Sequence, residues 1–244
     1  MVTRRWAPRL HKWIALVVGI QLLAWSASGL FMTVVPISQV RGEHNIRKQE
    51  TVDLRGAALV PIATVLERAP AGAVARVELR AVAGRPVYEI AVDGSSPVLL
   101  DARSGALLSP VAESHAIEIA RADFSGVGRV TKATLITEKP PIEFRGDLPV
   151  WQISFDDPDG TNLYVSAATG KVMARRSSTW RIYDFLWSLH IMDYSERDNF
   201  NNPLVIAAAA IAFVLAVSGV VMLYLRFSPS VIRRWRSSRK QISQ

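Results

Sequence analysis

Two stretches of 23 residues, Trp13 to Val35 and Pro203 to Leu225, carry no formally charged side chain. Each is long enough to cross about 30 Å of hydrocarbon as a helix. A chain of 244 residues that is 50% apolar can form either one core of ordinary size or a smaller core with membrane segments. The placement of the apolar residues selects the second, with two transmembrane helices. Ser26-Ala27-Ser28 has the small-residue spacing of a signal-peptide cleavage site. The apolar run, however, continues through Leu30, Phe31, Met32, Val34 and Val35, well past a signal core of roughly 7–15 residues. The first span therefore reads as an uncleaved anchor.

The net charge of +8 raises the question of nucleic acid, and its location answers it. Arg4, Arg5, Arg9 and Lys12 precede the first span, and Arg226, Arg233, Arg234, Arg236, Arg239 and Lys240 follow the second, with no acid in either tail. Those ten positive charges exceed the total, so the segment between the tails has a net charge of −2. Basic tails flanking apolar spans follow the positive-inside rule, which puts both termini in the cytoplasm and residues 36–202 on the other side of the membrane. The mildly acidic middle has no basic stripe and argues against a nucleic-acid partner. The absence of cysteine excludes disulfides, thiolate metal sites and thiol redox chemistry.

The middle segment contains an internal repeat. "RPVYEIAVDGSSPVLLDARSGAL" (85–107) aligns with "LPVWQISFDDPDGTNLYVSAATGKV" (148–172), with Pro86-Val87-Tyr88 against Pro149-Val150-Trp151 and Asp101 to Gly105 against Ser166 to Gly170. Each copy reads as two alternating strands around an Asp-Gly turn, Asp93-Gly94 and Asp159-Gly160. A strand precedes each hairpin (75–82 and 129–136), and a helix precedes each strand (60–69 and 111–124). The expected fold is α+β and membrane-anchored, with two transmembrane helices flanking two tandem repeats of helix plus antiparallel sheet. The divisions are a basic tail (1–12), a first span (13–35), a linker with the first repeat (36–110), the second repeat (111–179), an interfacial helix and loop (180–202), a second span (203–225) and a basic tail (226–244).

These residues resemble a known family. The arrangement of helix and strand with "PVYEI…DARSG" and "PVWQI…SAATG" resembles the PepSY domain, in which a strand ends in an Asp-Ala-x-Thr/Ser-Gly turn. The flanking "RLHKWIALVVGIQLLAWSASGL" and "LHIMDY…NFNNPLVIAAAAIAFVLAVSGVVMLY" resemble PepSY-associated transmembrane proteins. Ser166 departs from the pattern, standing where the first copy has Asp101. The resemblance implies a membrane PepSY protein, and some similar but larger members accompany the reduction of ferric siderophores.

Histidine is the scarce chemical resource. His44 in a charged linker and His115 on the polar side of a helix read as solvated side chains. His11 and His190 stand at span ends beside Trp13 and Trp187. Two readings stay open for them. One is interfacial anchoring, since such rings have an apolar body and a polar tip. The other is axial ligation of haem b. Antiparallel spans separate His11 from His190 by about a bilayer, so a haem at either one needs a homodimer to bring in the mirror-related imidazole.

Residues 180–191 place Trp180, Tyr183, Asp184, Trp187 and His190 on one helical face, with Ile182, Phe185, Leu186 and Leu189 on the other, as for a helix lying in the interface. Asp193 or backbone is the expected partner orienting the His190 ring. Ser28-Gly29 and Ser218-Gly219 read as sites of close helix packing. Asp156 to Gly160 lacks the glutamate of an EF-hand and falls on a turn, so no metal site is assigned. No motif of a self-contained hydrolase or nicotinamide enzyme is present, and no catalytic residue is assigned. Two functions follow: an accessory or electron-transfer component of ferric-siderophore acquisition, or a non-enzymatic periplasmic module that restrains a peptidase or binds a partner. Membrane lipid, a second copy of the chain, and other inner-membrane or periplasmic proteins are the expected partners.

Overall fold

The computed structural model describes residues 3–48 and 52–227, with side chains from Trp13 to Val221 and at Leu223 and Tyr224. In chain order the elements are α1 (Thr3–Val34), α2 (Ile37–Val40), a 3-10 turn (Glu43–Asn45), α3 (Ile62–Leu66), β1 (Val74–Val82), β2 (Arg85–Val92), β3 (Val98–Asp101), α4 (Glu113–Asp123), β4 (Val130–Ile136), β5 (Val150–Phe155), β6 (Asn162–Ser166), β7 (Val172–Arg176), α5 (Ser178–Ile191) and α6 (Pro203–Phe227). They form two compact units, one of residues 1–34 and 184–244, the other of residues 35–183.

The intervening unit holds two antiparallel sheets, β1-β2-β3 and β4-β5-β6-β7. Both hairpins form in the register that their turns dictate, Tyr88 opposite Leu100 and Gln152 opposite Tyr164. Strand β7 extends the second sheet beyond the predicted three strands. In the first copy the corresponding chain makes only a single bridge, Leu107 to Leu100.

Alternation was expected on β2, yet all of its residues from Pro86 to Ile90 are buried. The reason is that both faces of each sheet are covered. Val87, Leu99, Ile153, Leu163 and Val165 meet α4 residues Ala116, Ile119 and Ala120 in a core shared by the two sheets. Tyr88, Ile90 and Leu100 point the other way and pack on Val65 of α3, while Tyr164 and Val150 pack on Phe144. Period two is intact, but each parity has its own core.

A buried carboxylate links the repeats. Glu89, 2% exposed, accepts from Arg80 Nε at 2.8 Å and from Lys171 Nζ at 2.8 Å, the latter supplied by the turn after β6. Burial pushes its carboxyl upward, but the bonds from Lys171 and Arg80 outweigh this and hold it below the usual range. The turn glycines Gly105 and Gly170 have φ of +69° and +65°, the left-handed backbone expected there. In both copies the glycine N–H bonds the carbonyl four residues back, at 2.8 Å. The missing acid does not change this geometry. Asp101 Oδ1 accepts from two backbone amides, where Ser166 Oγ accepts from one, Thr169 N at 3.2 Å.

Candidate functional site

The unit built from α1, the end of α5 and α6 contains the apolar segments. Trp13–Val34 and Pro203–Val221 have mean hydropathy of 1.9 and 2.8 and are almost wholly exposed, which with their length marks membrane-spanning helices. Asn202-Pro203 starts α6 as a cap and first-turn proline: Asn202 Oδ1 accepts from Val205 N at 3.0 Å. Asn202 Nδ2 donates to the Ile191 and Asn199 carbonyls, closing the loop onto the end of α5.

That loop, residues 192–202, folds around one carboxylate. Asp193 accepts from Asn199 N at 3.1 Å and also from Ser195, Glu196 and Asp198 amides, which lowers its pKa to about 2. Arg197 clips the loop to α5, its guanidinium donating to Asp184 at 2.7 Å while its carbonyl accepts from Trp187 Nε1 at 3.2 Å. These bonds fix the last turn of α5 and with it His190.

The His190 ring lies beside α1. Its Nδ1 is 2.9 Å from Ser28 Oγ. Ser28 is 1% exposed, and its hydroxyl also lies 2.8 Å from the Ala24 carbonyl and 3.1 Å from the Trp25 carbonyl. The contact engages Nδ1 of the ring and leaves Nε2 as the other coordinating nitrogen. The space where a Gly29 Cβ would sit is 3.8 Å from the ring's Cε1. Trp187 lies nearly parallel to the imidazole, with centroids 6.5 Å apart, and Trp25 is tilted at 6.4 Å.

The structure corrects two expectations. Asp193 is consumed by loop amides and does not orient His190; Ser28 does, because α1 brings a hydroxyl where a distant stretch of sequence places the imidazole. At Ser28-Gly29 the expected close packing occurs, with α1 meeting the last turn of α5. At Gly219 no atom lies within 4 Å of a Cβ position, so no close packing occurs there among the described residues. Trp180 carries the Arg176 guanidinium 4.4 Å over its ring. His44 is exposed, and His115 is half-buried with Nε2 3.4 Å from Arg85. The His11 side chain lies outside the described residues, although its backbone belongs to α1. Ser28 stands 17 residues further along that helix, about 26 Å.

Sequence reasoning missed Gln21 and Trp25. With Ser28 they recur at i, i+4 and i+7 on α1, a polar stripe along one side of an otherwise apolar helix, and that spacing was readable. As for haem, the imidazole could serve as one ligand, with Nδ1 against Ser28 and no partner at Nε2 among the described residues. His190 is the only histidine among the described side chains of this unit, so a second axial ligand has to come from elsewhere.

Two lipid-length helices, an imidazole fixed at a helix end, and paired antiparallel sheets between the spans define a membrane-anchored α+β protein. The chain belongs to the PepSY-associated transmembrane family, whose model, described as the PepSY-associated TM region, matches residues 8–243. No curated protein and no solved structure matches it.

Proposed function

We propose that the protein is an electron-transfer component of ferric-siderophore acquisition in the bacterial inner membrane, with the sheet domain in the periplasm. The observation that carries this reading is the His190 imidazole, held at Nδ1 by Ser28 and open at Nε2. A ring used only as an anchor needs no buried hydroxyl on one nitrogen, whereas a metal ligand characteristically has its second nitrogen bonded in this way. In a homodimer, His190 from each copy would hold one haem b and His11 from each copy a second, near the opposite face. The separation along α1 keeps the two sites apart. Haem supplies a one-electron carrier. The chain's own residues orient the imidazole, flank it with Trp25 and Trp187, and keep the surroundings apolar. The role in iron acquisition is supported by family resemblance alone.

The test is an absorption spectrum of detergent-purified protein from cells supplied with haem precursor. A Soret band is expected, and His190→Ala should remove one of two haem signals while leaving the one held by His11. A dimeric wild-type protein without Soret absorbance would overturn the proposal and favour the non-enzymatic partner-binding module.

A further inference from the structure

Strand β1 lies at the edge of its sheet, paired with β2 on one side alone. The hairpin that joins them fixes which of its backbone groups face outward. Ala83 and Gly84, with φ of +47° and +77°, form the two-residue turn, so Val82 and Arg85 are the closing hydrogen-bonded pair. Bonded and non-bonded pairs then alternate, which directs the N–H and C=O of Arg80 and Glu78 toward β2 and those of Ala81, Leu79 and Val77 away from it. Pro86 agrees with this phase. It stands opposite Ala81, where no N–H is needed, and its carbonyl accepts from Ala102 N on the β3 side at 3.0 Å. Among the described residues nothing bonds the outward groups of Val77 and Leu79.

An edge of nine residues is a template for another strand unless its side chains repel one. Here Arg76 and Glu78 flank Val77, with side chains 58% and 41% exposed. A twofold axis at Val77 sets that residue opposite its own copy, Arg76 opposite Glu78 of the second copy, and Glu78 opposite Arg76 of the second copy. The Val77 pair is then a bonded one, since both residues turn N–H and C=O outward, and the charged pairs beside it are the closer, non-bonded kind. Opposite charges attract in such pairs, where like charges would repel. Neighbouring alignments are poorer. A twofold at Glu78 sets two acids against each other, and one at Leu79 pairs Glu78 with Arg80, which is 17% exposed and already bonded to Glu89 and the Thr169 carbonyl. Strand β4, an edge of the second sheet, has Lys132 as its only charge and no acid to match it.

We infer that two copies of this chain associate through β1, antiparallel about Val77, so that their three-stranded sheets become one sheet of six strands. The occupant of the edge is a second copy because the charge pattern complements itself: the acid and the base stand two residues apart around the axis, the spacing that a twofold needs. The outward backbone groups supply the attraction, and the ion pairs select the register, since exposed pairs add little strength of their own. On the other face of the sheet, Leu79, 37% exposed, gains apolar cover from the second copy. The inference goes beyond the electron-transfer reading, which requires a homodimer but does not say where the copies meet.

The experiment is oxidative cross-linking of the full-length protein in detergent, without haem, in a chain that has no native cysteine. Val77→Cys should form a disulfide-linked dimer, since bonded cross-strand residues have Cα atoms about 5.5 Å apart, within disulfide reach. Thr131→Cys, exposed on the edge of β4, is the control and should not. In the Val77→Cys background, Glu78→Arg and Arg76→Glu should each lower the yield at least tenfold. Co-expression of the two should restore it, because each charge then meets its opposite in the other copy. Val77→Pro, which removes an N–H that faces outward, should convert the dimer to a monomer by mass while the melt stays cooperative. Cross-linking at Val77 no greater than at Thr131, an undiminished yield in either charge variant, no recovery on co-expression, or a folded Val77→Pro protein that is still dimeric would each overturn the inference. A protein that is dimeric by mass and binds haem, yet does not cross-link at Val77, would overturn this inference and leave the haem reading standing; a dimer cross-linked at Val77 without Soret absorbance would do the reverse.

Discussion

A serine hydroxyl inside a membrane helix has one proton and two lone pairs, and the helix's own carbonyl normally takes the proton. Ser28 lies 2.8 Å from the Ala24 carbonyl and also meets His190 Nδ1 at 2.9 Å. Removing the oxygen frees the imidazole to rotate and to change tautomer without altering the apolar surroundings. Ser28→Ala is therefore expected to weaken haem retention by about 10–100-fold, the usual loss when a bond behind a metal ligand is removed, with little change in melting temperature. Ser28→Thr, which keeps the hydroxyl, should retain most of the affinity. The measurement is haem titration of apo-protein followed at the Soret band, and equal affinity in all three proteins would assign Ser28 to packing after all. His190 stood out in the sequence by its position at a span threshold. Its partner was not, because 162 positions separate the two residues and only the fold brings them together. Glu89 was hidden for the same reason: in "VYEIAV" it occupies a place where an exposed strand residue is ordinary, and its burial depends on Lys171 from the other repeat.

At the scale of elements, the repeat was the most legible feature, since its turns are written in Asp-Gly and in a final glycine that needs a left-handed backbone. The two equivalent glycines nevertheless sit in different surroundings. A Cβ at Gly170 would lie 3.1 Å from Ile119 Cδ1 and 3.5 Å from Val82 Cγ1, inside the shared core. At Gly105 it would meet the end of the flexible Arg68 side chain, which donates to the Gly105 carbonyl and can swing aside. Gly105→Val is thus expected to cost about 2 kcal/mol, chiefly backbone strain, and Gly170→Val about 4 kcal/mol, strain plus overpacking. Thermal melts of the full-length protein should show roughly twice the shift for Gly170→Val, and equal shifts would mean that the second turn does not abut the core. What the sequence concealed at this scale was β7 and the burial of both sheet faces. Residues 172–176, "VMARR", look like a polar exit from the hairpin, yet Arg175 is drawn onto Asp123 of α4, with Nε at 2.7 Å from Oδ2, and the strand is held in place from its side chains. Alternation tells how a strand divides its residues between faces; it does not tell whether the second face is covered, and here α3 and the Phe144 loop cover it.

For the whole molecule, topology turns on where charge sits relative to two apolar spans. The first tail enters α1 directly, and the second, from residue 228 onward, lies outside the described residues, so its bearing on topology rests on sequence. Ten positive charges and no acid in the tails, against a net charge of −2 between them, make one orientation much less costly than the other, because basic segments next to a span are retained on the cytoplasmic side. The intervening unit, with its own cores and its own inter-repeat ion pairs, can then fold on the far side of the membrane without a disulfide. The native chain has no cysteine, which makes the orientation directly measurable. In cells whose outer membrane has been opened, an impermeant maleimide should label Ser95→Cys, on the exposed turn between β2 and β3, and should leave Val2→Cys and Ser243→Cys unlabelled until the inner membrane is broken. Labelling of either tail in intact inner membranes would reverse the topology. It would then put the sheets in the cytoplasm and remove the periplasmic setting on which the ferric-siderophore reading depends, while leaving the His190–Ser28 contact, within the membrane-spanning unit, to be judged on its own test.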